Sequence, residues 1–246
     1  MHTKETLISQ LNALKVNPKG TLLTHLSYKS LGEVQGGPQT VLEALLAYMQ
    51  EGLLVIPTHT WANVNTEQLH YSVKDTPCCI GIIPELARKR AGGFRSSHPT
   101  HSVVAFGKEA QRFIQDDHLC TTPCARNSAW GRLLDRDATI LLIGVGLNRD
   151  TYIHGVEEWL DIPDRLAPPV PFMCTLSDGS TLPCPCRPHK GHPSEQFPKV
   201  EGLLKKQGVL EVGRLGDATV LKHQAKALYE SLKPMLIEHP DLFSER

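Results

Sequence analysis

The sequence predicts an α/β fold: one domain over residues 1–246, with a mixed, partly parallel central sheet flanked by helices. Three observations predict it. The runs "GTLLTHLS", "GLLVIPTHTW" and "ATILLIGVGL" are strand-length and almost wholly apolar in the middle, as expected of strands covered on both faces. Segments of helical period alternate with them, which is the pattern of helices packed on a sheet. The order strand, glycine-rich loop, helix, strand near the N-terminus is a βαβ unit, whose strands run parallel.

Each element has its own signal. Leu7, Leu11 and Leu14 set one face of an opening helix that ends near "NPKG". The strand "GTLLTHLS" follows, then the polar loop "YKSLGEVQGG". Pro38 starts the helix "PQTVLEALLAYMQEG", with Gly52 just past its end. After the strand "GLLVIPTHTW", the pattern predicts a helix in "IIPELARKRAGG", a strand in "HSVVAFG", a helix in "KEAQRFIQDD" and the strand "ATILLIGVGL". A helix then begins near Thr151. Prolines cluster over 163–198, and the expectation there is a long irregular excursion of the kind that carries function. A closing amphipathic helix over Ala225–Glu238 carries Leu228, Leu232 and Leu236 on one face.

Lys plus Arg equals Asp plus Glu at 26 each, so no net field recommends nucleic acid or an anionic membrane as partner. The first residues read as an amphipathic helix rather than a signal peptide, and no run has the length of a membrane span. Seven cysteines, an odd number, fit free thiols in a reducing cytoplasm, the expected location.

Four places carry chemistry. "LPCPCRPHKGHPSEQF" offers Cys184, Cys186, His189 and His192, a zinc ligand set in type. One residue between the cysteines, with prolines at 183, 185 and 188, makes a single ion hard to wrap, and a Pro-stiffened loop facing a cleft is the better reading. No metal is expected to be required. Gly36 and Gly37 precede a helix start and suit either a plain turn or a phosphate cradle, the turn being favoured on spacing alone. "RSSHPTHSVVAFG" places Ser97, His98, Thr100, His101 and Ser102 before a strand, as a solvated loop or as the wall of an anionic ligand. His154 sits in the first turn of a helix with Glu157 and Glu158 at i+3 and i+4, either a surface charge cluster or a general base with its carboxylate.

Taken together in order, "LLTHLSYKSLGEVQGGPQTVLEAL", "GIIPELARKRAGGFRSSHPTHSVVAFG", "TPCARNSAWGRL" and "ILLIGVGLNRDTYIHGVEE" resemble the aminoglycoside 3-N-acetyltransferases, antibiotic N-acetyltransferases of non-GNAT fold. The resemblance runs from about Lys4 to Phe243. It implies an acyltransferase that moves acetyl from acetyl-CoA to an aminoglycoside, at the 3-amine of deoxystreptamine, or to another small amine. The third reading is a relative that binds zinc or a ligand without catalysis. By resemblance His154 is the base and Glu157 its partner. Ser27, Lys29, Ser30, Gly36, Gly37 and the "SSHPTHS" segment hold the cofactor, while Thr58, Trp61 and Glu195 face the acceptor. A second copy of the chain is the one protein partner considered. The chain departs from the family pattern at Leu26, Lys29, Asp150 and Gly155, and His189, Lys190 and His192 stand where acidic residues are usual. That makes the Cys/His loop a remodelled acceptor wall whose cysteines have no catalytic part and tolerate serine.

Overall fold

Strands without a polar face need cover on both sides, and the fold supplies it. The computed structural model describes residues 1–244. Its strands are β1 (Thr21–Leu26), β2 (Leu53–Pro57), β3 (His70–Ser72), β4 (Phe94–Arg95), β5 (Val103–Phe106), β6 (Thr139–Ile143), β7 (Met173–Thr175), β8 (Thr181–Pro183), β9 (Glu211–Leu215) and β10 (Ala218–Gln224). Its helices are α1 (Lys4–Ala13), α2 (Gly37–Tyr48), α3 (Ile82–Lys89), α4 (Ala110–Phe113), α5 (Ala129–Asp135), α6 (Thr151–Trp159), α7 (Glu201–Lys206) and α8 (Ala225–Glu238). None of them is long and apolar enough to cross a membrane.

Seven strands form one sheet in the order β4-β5-β2-β1-β6-β10-β9. Its centre is parallel: β1 pairs with β2 from Thr21↔Leu53 and with β6 from Leu22↔Thr139 to Leu26↔Ile143. The outer pairings are antiparallel. Successive residues of β1, β2 and β6 point to opposite faces, so Leu22, Leu54, Leu141 and Ile143 pack with α1, α2 and α3, whereas Leu23, Val55, Ile140 and Leu142 pack with α5, α6 and α8. Helix α2, leaving β1, therefore covers one face, and α6, leaving the adjacent β6, covers the other. Outgoing connections that diverge from neighbouring parallel strands open a crevice beyond their carboxyl ends, the usual ligand position in such sheets.

The closing helix and the βαβ unit follow the sequence pattern. One expectation needs correction, and two features lie outside the sequence pattern. The helix in "KEAQRFIQDD" is shorter, α4 spanning Ala110–Phe113, because the chain turns left-handed at Asp116. The hairpin β9–β10 has no counterpart in the sequence pattern, since its outer strand is largely exposed and shows no apolar run. Residues 163–198 run mostly without regular structure, but the excursion is anchored: β7 pairs parallel to β3 and antiparallel to β8, making a three-stranded sheet. Strands of three residues are too short to show alternation, and the β3–β7 pairing spans about a hundred residues of chain.

This small sheet explains the "CPC" spacing. Cys184 N–H donates to Phe172 O at 2.8 Å and Cys186 N–H to Val170 O at 3.1 Å, so the segment runs strand-like. Both cysteines point inward with Tyr71, Phe172 and Cys174, fully buried, while Pro183 and Pro185 point outward. They are core side chains of a satellite cluster rather than an acceptor wall. Serine at either position would place a hydroxyl in apolar packing, at about 1–3 kcal/mol where it finds no partner.

Candidate active site

A cavity of about 870 Å³ fills the crevice at the carboxyl ends of β1, β2 and β6. Thr24 to Lys29 at the end of β1 and just past it, His59 and Trp61 after β2, and Asn148 to Thr151 with His154 after β6 line it, and the 188–195 segment closes one side. The volume is in the range of small-molecule sites.

His154 projects from the first turn of α6. Asp150 caps this helix, one oxygen accepting from Tyr152 N–H at 3.2 Å and the other pairing with His223 Nε2 at 2.9 Å, the aspartate and histidine side chains both fully buried. The Asp-for-Asn departure is thus matched by a histidine on β10. Gly155 leaves room for Trp159: a Cβ there would lie 2.7 Å from the indole Cζ2. Trp159 Nε1–H in turn donates to Cys124 O at 2.7 Å.

Glu157 is buried behind the imidazole, its Oε2 3.4 Å from His154 Nδ1 and otherwise without a hydrogen-bond partner. Its Oε1 accepts from Arg165 Nε–H, and Arg165 also donates to Pro240 O at 3.1 Å. The result is a line from guanidinium to carboxylate to imidazole, leaving His154 Nε2 as the nitrogen turned from Glu157. Burial lowers the His154 pKa from its ordinary value, the neighbouring His189 lowers it further, and Glu157 opposes both. A neutral resting imidazole beside a buried carboxylate is a proton acceptor at neutral pH.

Glu158, which helical spacing places on the same side as His154, turns instead to His189. The His189 Nε2–H donates to Glu158 Oε1 at 2.7 Å, and both Glu158 oxygens accept from Cys124 N–H. His189 stacks on His154, ring centroids 4.2 Å apart and 23° from parallel, and Phe197 meets His154 edge-on at 4.8 Å. His101 and His59 extend this array of rings, with centroids 5.0 Å and 4.6 Å apart in turn.

Of the residues expected to bind, Ser27, Lys29, Thr100, His101, Trp61 and Glu195 line the cavity together with His154. The others do not reach its wall. Ser30 packs on Gly144, donating to its carbonyl at 3.3 Å, which pins the loop after β1 to the end of β6. Gly36 and Gly37, with φ of 77° and 69°, serve the left-handed turn that enters α2. Ser97 is buried, with its carbonyl accepting from Cys174 Sγ–H. His98 accepts at Nδ1 from Thr100 and His101 N–H, so its Nε2 carries the hydrogen and donates to Thr122 O at 3.2 Å. Ser102 and Thr58 belong to a cage around buried Arg95, which donates to Thr58 O, Val73 O and Thr76 O. The "RSSHPTHS" block is therefore mostly scaffold, with Thr100 and His101 at its open end.

Sequence reasoning misses Arg165 altogether, and it gives His189 and Asp150 no place in the network around His154. Their partners lie up to 75 residues away in sequence, and no spacing rule reaches them. The four zinc-type residues are not brought together. Among the described residues, the set of three donors close enough for one ion is Cys124, Glu158 and His189, all within 4.8 Å of one another. They already close as the hydrogen-bonded network above.

Lys29 and Arg149, both exposed, bring to the lining charges suited to phosphates; Glu195, 3.9 Å from Arg149, is a carboxylate suited to a cationic acceptor.

Known proteins similar to this chain bear on this geometry. A family model described as aminoglycoside 3-N-acetyltransferase matches residues 23–237. A Salmonella protein named aminoglycoside N(3)-acetyltransferase IV is 29% identical over 216 residues, covering 87% of this chain and 80% of its own. The apoenzyme structure of aminoglycoside acetyltransferase AAC(3)-IVa superposes with a TM-score of 0.85 at 26% identity, over 99% of this chain and 92% of that one. A histidine-to-alanine mutant of AAC(3)-IVa in complex with a gentamicin gives the same TM-score and coverage.

Proposed function

The chain belongs to the aminoglycoside 3-N-acetyltransferase family, and from that premise we propose that it transfers the acetyl group of acetyl-CoA to an amine of an aminoglycoside, the 3-amine of the deoxystreptamine ring, by direct attack with His154 as general base. The observation that carries the reading is the line Arg165–Glu157–His154 ending in the cavity. A related enzyme of this fold, AAC(3)-IVa, takes a gentamicin in its histidine-to-alanine form.

The side chains divide the work. Lys29 and Arg149 offer positive charge to the phosphates of the donor. Ser27 and Thr151 bring hydroxyls to the cavity wall, where a developing oxyanion needs donors. Glu195 and Trp61 stand on the acceptor side. An aminoglycoside amine arrives largely as ammonium and attacks only after losing a proton. His154 Nε2 accepts it, and the imidazolium so formed is stabilised by Glu157 Oε2, the oxygen that has no hydrogen bond at rest. Arg165 holds that carboxylate in place from its other oxygen. Catalytic contacts that tighten only with substrate in place are the rule for general bases. Direct attack needs no covalent acyl-enzyme, and Cys124, the thiol closest to this network, has its pKa pushed well up by burial.

Thiol release from acetyl-CoA, assayed against a panel of aminoglycosides and of unrelated small amines, tests the reading. Release with aminoglycosides alone is the expected result. Release only with other amines would move the acceptor class, in keeping with the sparse acidity around Glu195. No release with any amine would remove the acetyl-transfer reading.

A further inference from the structure

Two histidine–glutamate pairs stand side by side in this cavity, and the family resemblance supplies a role for one. His154 with Glu157 and His189 with Glu158 come from adjacent carboxylates of α6, and their rings are stacked 4.2 Å apart. Both histidines line the cavity. Nε2 of His189 is held by Glu158, which leaves its Nδ1 to exchange protons. We propose that His189 is a second catalytic residue, the acceptor of the second proton that acetyl transfer must remove from nitrogen. The proposal rests on the acetyl-transfer reading.

The proton balance requires such a group. An ammonium nitrogen carries three hydrogens and the amide product one, so two protons leave it. His154 takes the first, freeing the lone pair that forms the C–N bond. As the tetrahedral centre collapses, the C–S bond breaks and its electron pair leaves with sulfur. The second proton passes from nitrogen to His189 and on to the thiolate, giving free thiol, while the first returns from His154 to solvent. One imidazole would have to discharge between the two transfers; two stacked ones need not. Each has its own carboxylate, and they repel when both are charged. Other titratable groups face them: His101, packed on His189; Arg165, behind Glu157; Cys124, whose Sγ lies within 4.8 Å of the Glu158–His189 pair; and, farther along the array of rings, His59 and His98.

The test compares wild type with His189→Gln, and with Glu158→Gln, which preserves the acceptor for Cys124 N–H. It reads kcat and KM for the acceptor across pH, and follows the His154 ring by nitrogen NMR. His189→Gln is expected to lower kcat by about 10²-fold with the acceptor KM changed by less than about threefold. Below its break, wild-type kcat/KM should fall with the second power of proton concentration, and that of the variant with the first. His154 should titrate at higher pH once the neighbouring ring is gone. A variant kcat within about twofold of wild type, or an unchanged acid limb, overturns the second-acceptor role and leaves acetyl transfer standing. If wild type releases no thiol with any amine, the acetyl-transfer reading falls. The NMR titration then decides the pair: an upward shift of His154 in His189→Gln retains the coupled dyads, and no upward shift in that variant overturns them.

Discussion

At the scale of single residues, the proposed chemistry concentrates in the first two turns of α6. Position 154 supplies the imidazole, 157 the carboxylate that balances its charge, and 158 the carboxylate that binds a different histidine. The i, i+3 relation of His154 to Glu157 is readable from sequence because helical geometry fixes it. The separation of Glu157 from Glu158 is not, because what splits them is Arg165 on one side and His189 on the other, both brought by the chain beyond the helix. Replacing His154 by alanine should lower turnover by about 10²–10⁴-fold while acetyl-CoA binding persists, measured by thiol release and by calorimetry. Turnover within a few-fold of wild type would remove the base.

At the scale of elements, local rules and tertiary needs part company at Gly155. A glycine inside a helix costs up to about 1 kcal/mol relative to alanine, so propensity alone predicts that Gly155→Ala stabilises the protein. The indole of Trp159 occupies the space a methyl would take, and it also bonds the carbonyl of Cys124. Gly155→Ala should therefore lower the midpoint of denaturant unfolding, by an overpacking cost of about 1–3 kcal/mol; a raised midpoint would show that the indole moves freely. The same conflict explains what the sequence could show of the elements. The long strands and helices, including Ala225–Glu238, are legible because burial imposes a period on them. The strands of three residues around Cys174 and Cys184 are not, since their inward-pointing cysteines look like ligands and their prolines like loop.

At the scale of the whole molecule, packing the carboxyl ends of the sheet with imidazoles sets a limit on acid stability. Burial pulls His25 down to about 4 and His98 to about 3, and holds His59 and His101 well below the usual range. A histidine whose folded pKa is lowered stabilises the fold above its unfolded value of about 6.5 and costs stability as pH falls below it. His25 and His98 should each cost on the order of 2 kcal/mol by pH 5. Buried Asp117, pushed up to about 7 even beside Arg132, works with the opposite sign, as one carboxyl against four imidazoles. The Tm should thus be lower at pH 5 than at pH 7 by scanning calorimetry, and an equal or higher Tm at pH 5 would mean that the rings bind protons in the folded state. Sequence alone can count twelve histidines but not foresee that His25, His59 and His98 are buried with His101 half-buried beside them, because their enclosure comes from strands and loops converging on one crevice. That convergence also makes the central claim directly measurable. In a crystal structure of the protein with CoA and an aminoglycoside bound, the acceptor amine should lie within about 3.2 Å of His154 Nε2, with the CoA sulfur on the far side of the amine in the same cavity. An amine and a sulfur seated away from that ring, or His154 turned toward Phe197 and out of the cavity, would contradict it.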